Sequence, residues 1–193
     1  MVLSIPLPET LAAVTDTLSA GGVTILPCDT IYGFVGVAPE TEGRIRAIKG
    51  RGEDKPFLQL LPNLDWLSRL TRQEIPTRFA ARWPGPLTLV VQARSGGTVA
   101  VRLPDSAFLR SVLAAVGKPL YSTSVNLAGS PPLHAIEEII RQFESRVDLV
   151  VDAGVLPSAA ASTIVDVTSR PYRILRQGAL RIPDEDLEAG PAG

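Results

Sequence analysis

Short, β-branched apolar runs alternate with helix-length amphipathic stretches along almost the whole chain, and this alternation restricts the possible folds more than any other feature. The clearest run is Val23-Thr24-Ile25-Leu26, closed by Pro27. A helix predicted over residues 9–20 precedes it and stops at Gly21-Gly22. The same reading predicts strands at 57–61, 87–92, 99–103, 120–124, 149–152, 163–167 and 173–175. Helices are expected from Pro39 to about Lys49, over 107–116 between a Ser106 cap and Gly117, and over 136–143. Ser95-Gly96-Gly97 joins the 87–92 and 99–103 strands as a hairpin, whereas helices separate other strands. Hairpins mixed with helical crossovers imply an α/β fold with a mixed parallel and antiparallel sheet.

With 193 residues, 45% of them hydrophobic, the chain can bury one sizeable core. No interior linker divides it, so a single domain is expected over residues 1–184, followed by a flexible tail at 185–193. A net charge of −1 argues against a main task of gripping long nucleic acid, although local basic clusters remain open. One cysteine, Cys28, and one histidine, His134, exclude an intrachain disulfide and make a His- or Cys-based metal cluster implausible. The first residues read as neither a signal peptide nor a membrane span, so a cytoplasmic protein is expected. Neither GxGxxG nor GxxxxGK[ST] occurs, which leaves the usual dinucleotide-fold and P-loop readings unsupported.

Four polar clusters fall at predicted strand ends, where α/β folds commonly bind ligands. PCDTIYG (27–33) offers a rigid turn with a hydroxyl and an aromatic face, or simply a turn in which Asp29 bonds its own backbone. KGRGEDKP (49–56) sets three cations around two glycines at a helix exit; they could converge on a polyanion or merely favour the helix dipole. WPGPLT (83–88) reads as a structural turn under Trp83, with Thr88 the residue best placed to meet a ligand. Ser122-Thr123-Ser124-Val125-Asn126 carries more polar side chains than one helix cap needs, which favours a ligand site.

Taken in order, PCDTIYG, KGRGEDKP, WPGPLTLV, VAVRLPDS, PLYSTSVNLAG, ASTIVDV and ILRQGAL resemble the YrdC/TsaC/Sua-type family of threonylcarbamoyl-adenylate synthases, from about Gly22 to Arg181. The resemblance implies a YrdC-like twisted mixed sheet flanked by helices, with a concave basic cleft. It implies synthesis of threonylcarbamoyl-AMP and pyrophosphate from L-threonine, bicarbonate and ATP, for the threonylcarbamoyladenosine modification of tRNA. Threonine would meet Thr30, Arg102, Ser122 and Ser162, with Arg102 taking its carboxylate. The nucleotide would meet Lys49, Arg51, Lys55, Thr88, Ser124, Asn126 and Arg176, and Lys49 and Arg51 would also carry the catalytic charge neutralisation. Mg²⁺ would be bound mainly through the ATP phosphates. The product would pass to a separate tRNA threonylcarbamoyl transferase complex, with weak or no direct RNA binding by this chain. Cys28 stands where many members have Thr and has no nearby His to activate it, so it reads as a small buried residue. The alternatives are an RNA- or ribosome-binding module using the same cleft, and a YciO-type paralogue.

Overall fold

The computed structural model of the chain describes residues 1–4, 8–29, 31–52, 56–156 and 160–188. In chain order its elements are β1 (Val2–Ser4), α1 (Pro8–Ser19), β2 (Thr24–Pro27), β3 (Tyr32–Val37), α2 (Glu42–Lys49), β4 (Leu58–Leu60), α3 (Asp65–Leu70), α4 (Thr77–Ala80), β5 (Leu87–Gln92), β6 (Thr98–Arg102), α5 (Ala107–Val116), β7 (Leu120–Ser124), α6 (Ile136–Phe143), β8 (Leu149–Asp152), β9 (Thr163–Asp166), β10 (Arg173–Arg176) and α7 (Asp184–Leu187). The strands join one ten-stranded sheet in the order β1-β8-β2-β3-β7-β4-β6-β5-β9-β10. Its pairings are mixed: β2–β3, β3–β7, β4–β7 and β5–β6 run antiparallel, whereas β1–β8, β2–β8, β4–β6 and β5–β9 run parallel.

Local signals set several of these boundaries. Gly21, at φ 80°, turns the chain out of α1, and its N–H bonds to Leu18 O. Ser106 Oγ accepts from Leu109 N at 3.3 Å to cap α5, and Gly117, at φ 67°, ends that helix. β3 departs from the sequence reading, which leaves Tyr32-Gly33 in a loop and starts a helix at Pro39. Two glycines in YGFVGV weaken any strand signal, yet all six residues are buried between β2 and β7. β1, α3 and α4 are likewise absent from that reading; they are short and carry little periodicity of their own. The expected flexible tail also needs correcting. Asp184–Leu187 is helical, Asp186 pairs with Arg82 at 2.5 Å, and Tyr172 N bonds Leu187 O at 2.9 Å. Residues 189–193 lie outside the described residues.

Helices cover the two faces of the sheet unequally. On one face, α1 and α5 pack Val14, Leu18, Leu109, Val112 and Leu113 against Leu26, Val35, Leu60, Leu120 and Val151. On the other, α2 and α6 cover the β2–β3–β8 half, where Phe34 meets Phe143 edge-on at 5.1 Å between ring centroids. Burying such a ring contributes about 1.5–3 kcal/mol, and truncating it to Ala costs about 3–5 kcal/mol because the cavity cannot collapse. Phe79 and Trp83 cover the remaining half beside Leu89, Val101 and Val165. The α1–α5 layer reaches Leu120 of β7 and Leu60 of β4, and part of that face beyond them toward β9 is left open.

Candidate active site

The open part of the sheet face is a cavity of about 220 Å³. Strand register explains which side chains reach it. Side chains alternate between faces, so Ser122 and Ser124 of β7 share a face with Leu58 of β4, Ala100 and Arg102 of β6, and Thr88 of β5. Gly33 of β3 pairs with Ser124 and belongs to the same face. Small residues at Gly33, Ala100, Ser122 and Ser124 make the hollow. A Cβ at Gly33 would lie 3.0 Å from Cys28 Sγ and 3.1 Å from Ser122 Oγ. The polar groups gather toward strand ends, as the sequence reading expects: Arg102 and Ser124 are the last residues of β6 and β7, Thr88 is the second of β5, and with Ser122 they project from one sheet face.

Among the sequence-predicted residues, Arg51, Thr88, Arg102, Ser122, Ser124, Ser162 and Arg176 all line this cavity. Thr88 and Ser162 are buried, with their hydroxyls 2.8 Å apart. Arg176 donates from Nε and Nη2 to Ser162 O at 3.0 and 2.9 Å, and from Nη2 to Ser162 Oγ at 3.1 Å. These bonds fix β10 to the segment entering β9. Thr163 strengthens the joint: its Oγ1 accepts from Gly178 N and Leu180 N at 3.0 and 3.1 Å and donates to Leu180 O at 2.5 Å. Arg51 is aimed by a left-handed turn at Gly50 (φ 60°), with Arg51 N bonded to Arg46 O at 3.0 Å. Its guanidinium lies over Phe57 at 4.8 Å and donates to Pro56 O at 3.2 Å.

Two predicted ligand residues lie behind the wall rather than in it. Lys49 is 3% exposed, and its Nζ donates to Ser124 O at 2.5 Å, Asn126 O at 3.0 Å and Asn126 Oδ1 at 2.9 Å. Asn126 donates in turn to Leu127 O and Ser130 O, and its Oδ1 also accepts from Ser124 Oγ at 2.6 Å. The pair braces the end of β7, and neither side chain lines the cavity. Burial first, and the charge of Arg51 second, lower the Lys49 ammonium to about 8. Thr30 and Lys55 lie outside the described residues.

Arg102, 3% exposed, pairs with Asp29, whose other oxygen accepts from Asp105 N at 3.2 Å. Burial lowers the Arg102 guanidinium to about 10, a shift opposed by Cys28 and aided by Arg176. Cys28 lines the cavity with Sγ 3.7 Å from Ser122 Oγ, and burial raises its thiol above the ordinary range. A thiol held protonated is a poor nucleophile. The sequence reading missed Asp29 as a partner of the site because an Asp in a turn ordinarily bonds locally. Tyr32 also ties the site to its surroundings: its hydroxyl donates to Gly154 O at 2.8 Å and accepts from Ala153 N at 2.9 Å.

Fold and cavity together define a mixed-sheet α/β protein with a pocket lined by guanidinium and hydroxyl groups. The sequence profile of the Sua5/YciO/YrdC family, described as telomere recombination, matches residues 16–178, and the chain belongs to that family. A threonylcarbamoyl-AMP synthase of Pyrococcus abyssi (strain GE5 / Orsay) is 31% identical over 183 residues, covering 87% of this chain and 53% of that protein. The solved complex of P. abyssi Sua5 with L-threonine superposes with a TM-score of 0.82 at 26% identity, over 92% of this chain and 57% of that one. Escherichia coli YciO matches at TM-score 0.83 and 22% identity, over 95% and 98% of the two chains, which shows shared fold alone. The chain thus spans little more than half the length of the threonylcarbamoyl-AMP synthase it matches. Among the described residues, no helix is long and apolar enough to cross a membrane.

Proposed function

We propose that this chain is an L-threonylcarbamoyladenylate synthase, a nucleotidyltransferase that converts L-threonine, bicarbonate and ATP to threonylcarbamoyl-AMP and pyrophosphate. The observation that carries the reading is the convergence of Arg51, Arg102 and Arg176 with Thr88, Ser122, Ser124 and Ser162 in one cavity. Its relatives, a threonylcarbamoyl-AMP synthase and an Sua5 in complex with L-threonine, support threonine and ATP as substrates. The threonine amine forms a C–N bond to the bicarbonate carbon as a C–O bond breaks and water leaves, giving a carbamate; a carbamate oxygen attacks the α-phosphorus of ATP, and the bond from that phosphorus to the α,β-bridging oxygen breaks to release pyrophosphate. Such a substitution depends on alignment and on neutralising charge around phosphorus, not on a protein nucleophile.

In this reading Arg102 takes the threonine carboxylate, while Thr30, Ser122 and Ser162 orient the amino acid. Arg51, Lys55, Thr88, Ser124 and Arg176 meet the nucleotide. Arg176 already spends Nε and Nη2 on Ser162, so it would turn its remaining Nη1 edge to phosphate. Lys49 and Asn126 contribute from beneath: they fix the end of β7, and the buried ammonium adds positive potential close to Ser124. Mg²⁺ belongs to the reading as part of the MgATP substrate, held mainly through the phosphates. The product would pass to a tRNA threonylcarbamoyl transferase complex in the cytoplasm.

The test is pyrophosphate release by the purified chain with MgATP, omitting threonine and bicarbonate in turn. Release that requires both supports the synthase. Release independent of threonine, or none at all, refutes it and favours the YciO-type reading.

A further inference from the structure

Asp29 belongs to the turn between β2 and β3, yet both of its contacts are to the far side of the cavity. Its Oδ1 accepts from Arg102 Nη2, and its Oδ2 accepts from Asp105 N at 3.2 Å, across 73 and 76 residues of sequence. In the sheet, β3, β7 and β4 separate β2 from β6. At about 4.8 Å per strand that is roughly 19 Å, so the turn must fold inward over the sheet face and Arg102 must lie along it. A turn aspartate serving its own loop would bond within a few residues.

The charge arrangement gives the contact a use. Arg102 is 3% exposed, and a guanidinium so deep in the fold needs a counter-ion. Asp29 is the carboxylate that pairs with it among the described residues, at 11% side-chain exposure. The pairing leaves Arg102 incompletely satisfied. Its Nε is buried without a hydrogen-bond partner, and the side chain lines the cavity beside Ser122 and Ser162. Nη2 of the guanidinium is therefore clamped by Asp29, while Nε has no acceptor among the described residues.

We propose that Asp29 is the positioning residue for Arg102, holding its guanidinium in the cavity wall as the anchor for the carboxylate of the amino-acid substrate. This rests on the reading of Arg102 as the threonine-carboxylate partner. Without the Asp29 charge, Arg102 loses its clamp and swings toward other acceptors, so amino-acid binding weakens while the nucleotide contacts of Arg51 and Arg176 stay in place. A charge-assisted bond of this kind corresponds to roughly ten- to a hundredfold in affinity.

The test compares Asp29→Asn, Asp29→Glu, Arg102→Lys and the Asp29→Asn/Arg102→Lys pair in the full chain. The readouts are threonine affinity by calorimetry, KM for threonine and for ATP, kcat, and Tm. Asp29→Asn should raise the threonine KM about tenfold or more, with the ATP KM changed less than about twofold. Asp29→Glu should recover part of that loss, and in the Arg102→Lys background the Asn substitution should have little further effect on threonine. Where Asp29→Asn does not fold, Asp29→Ser keeps an acceptor for Asp105 N and should show the same threonine-specific loss. An unchanged threonine KM overturns the proposal, as does a parallel rise in both KM values with a fall in Tm, or an Asn effect that persists undiminished beside Arg102→Lys. Wild-type protein that neither binds threonine nor releases pyrophosphate overturns it together with the synthase reading. Wild-type binding that Asp29→Asn leaves intact overturns it alone.

Discussion

Gly178 lies where β10 has just handed Arg176 to the cavity, and it has no room for a side chain. A Cβ there would sit 2.0 Å from Ala161 O, 2.5 Å from Ser162 C and 2.6 Å from Ser162 O. All three atoms are backbone, so no rotamer change relieves the clash. The strands must part by about 1 Å or more to reach ordinary contact, and such overpacking costs about 1–3 kcal/mol. Parting them also stretches Gly178 N to Thr163 Oγ1 and Ala179 N to Ala161 O, each 3.0 Å. Each weakened bond costs about 1 kcal/mol, so Gly178→Ala should destabilise the chain by about 3–5 kcal/mol in total. For a chain of this size that is a fall in Tm of roughly 6–20 °C. Arg176, anchored on Ser162 O, would be displaced with the strand, so ATP affinity should fall as well. Scanning calorimetry and nucleotide titration check both. Gly43→Ala in α2 is the control: open space surrounds its Cβ, and it should gain about 0.5–1 kcal/mol. A Gly178→Ala protein melting within about 2 °C of wild type would refute the close-packing argument.

Lys49→Met should cost about 2–5 kcal/mol in urea unfolding at pH 7, because Ser124 O, Asn126 O and Asn126 Oδ1 lose their shared donor. The pH dependence of wild type relative to that variant has a definite sign: Lys49 sits at about 8 when folded and near its ordinary 10.5 when unfolded, so between these values the unfolded chain holds the extra proton. The wild-type contribution from this group should therefore rise from pH 8 toward 10.5, and a falling difference would contradict the burial argument. Tyr121→Phe removes a 2.7 Å bond to Glu42 Oε2, the main reason the Glu42 carboxyl titrates below its ordinary range. It should cost about 1–2 kcal/mol near neutrality, less at low pH where Glu42 is protonated, as measured by denaturant midpoints. Gly33→Ala adds a methyl to the cavity floor against Cys28 Sγ and Ser122 Oγ, side-chain atoms that can yield; Tm should hold while ligand affinity falls.

The sequence carried the side chains of the site further than it carried their geometry. Ser122, Ser124, Thr88 and Arg102 stand out as dense polar groups beside β-branched runs, and period-two alternation then assigns them to one face once β7, β6 and β5 are paired. The pairing itself is non-local: β7 lies between β3 and β4, and β4 pairs with β6, arrangements no short motif encodes. β3 was hidden for a different reason. Its glycines remove the side chains that advertise a strand, and Gly36 is needed because a Cβ there would meet Thr41 Oγ1 at 2.3 Å. Lys49 reads as a surface cation at a helix exit. The left-handed turn at Gly50 instead leaves it as the last inward-facing residue of α2 and sends Arg51 on to the cavity, a distinction of one residue that composition cannot express.

A site built partly from strand residues differs physically from one built from loops alone. Loops beyond strand ends can lengthen or shift with little effect on the core, whereas here Thr88, Arg102, Ser122 and Ser124 share strands with residues buried on the opposite face. Tyr121 and Phe34 are buried beneath the cavity floor formed by Ser122 and Gly33, and Val101 and Leu89 flank Arg102 and Thr88 in sequence. A shift in any of these strands moves core and cavity together, which confers rigid alignment and restricts substitution. The arginine side chains are tethered as well: Arg51 to Pro56 O and Thr123 Oγ1, Arg102 to Asp29, and Arg176 to Ser162. For the proposed reaction, in which two anionic substrates must be held in line against their mutual repulsion, tethered guanidinium groups on a stiff floor would supply charge without much loss of side-chain entropy when the ligands bind.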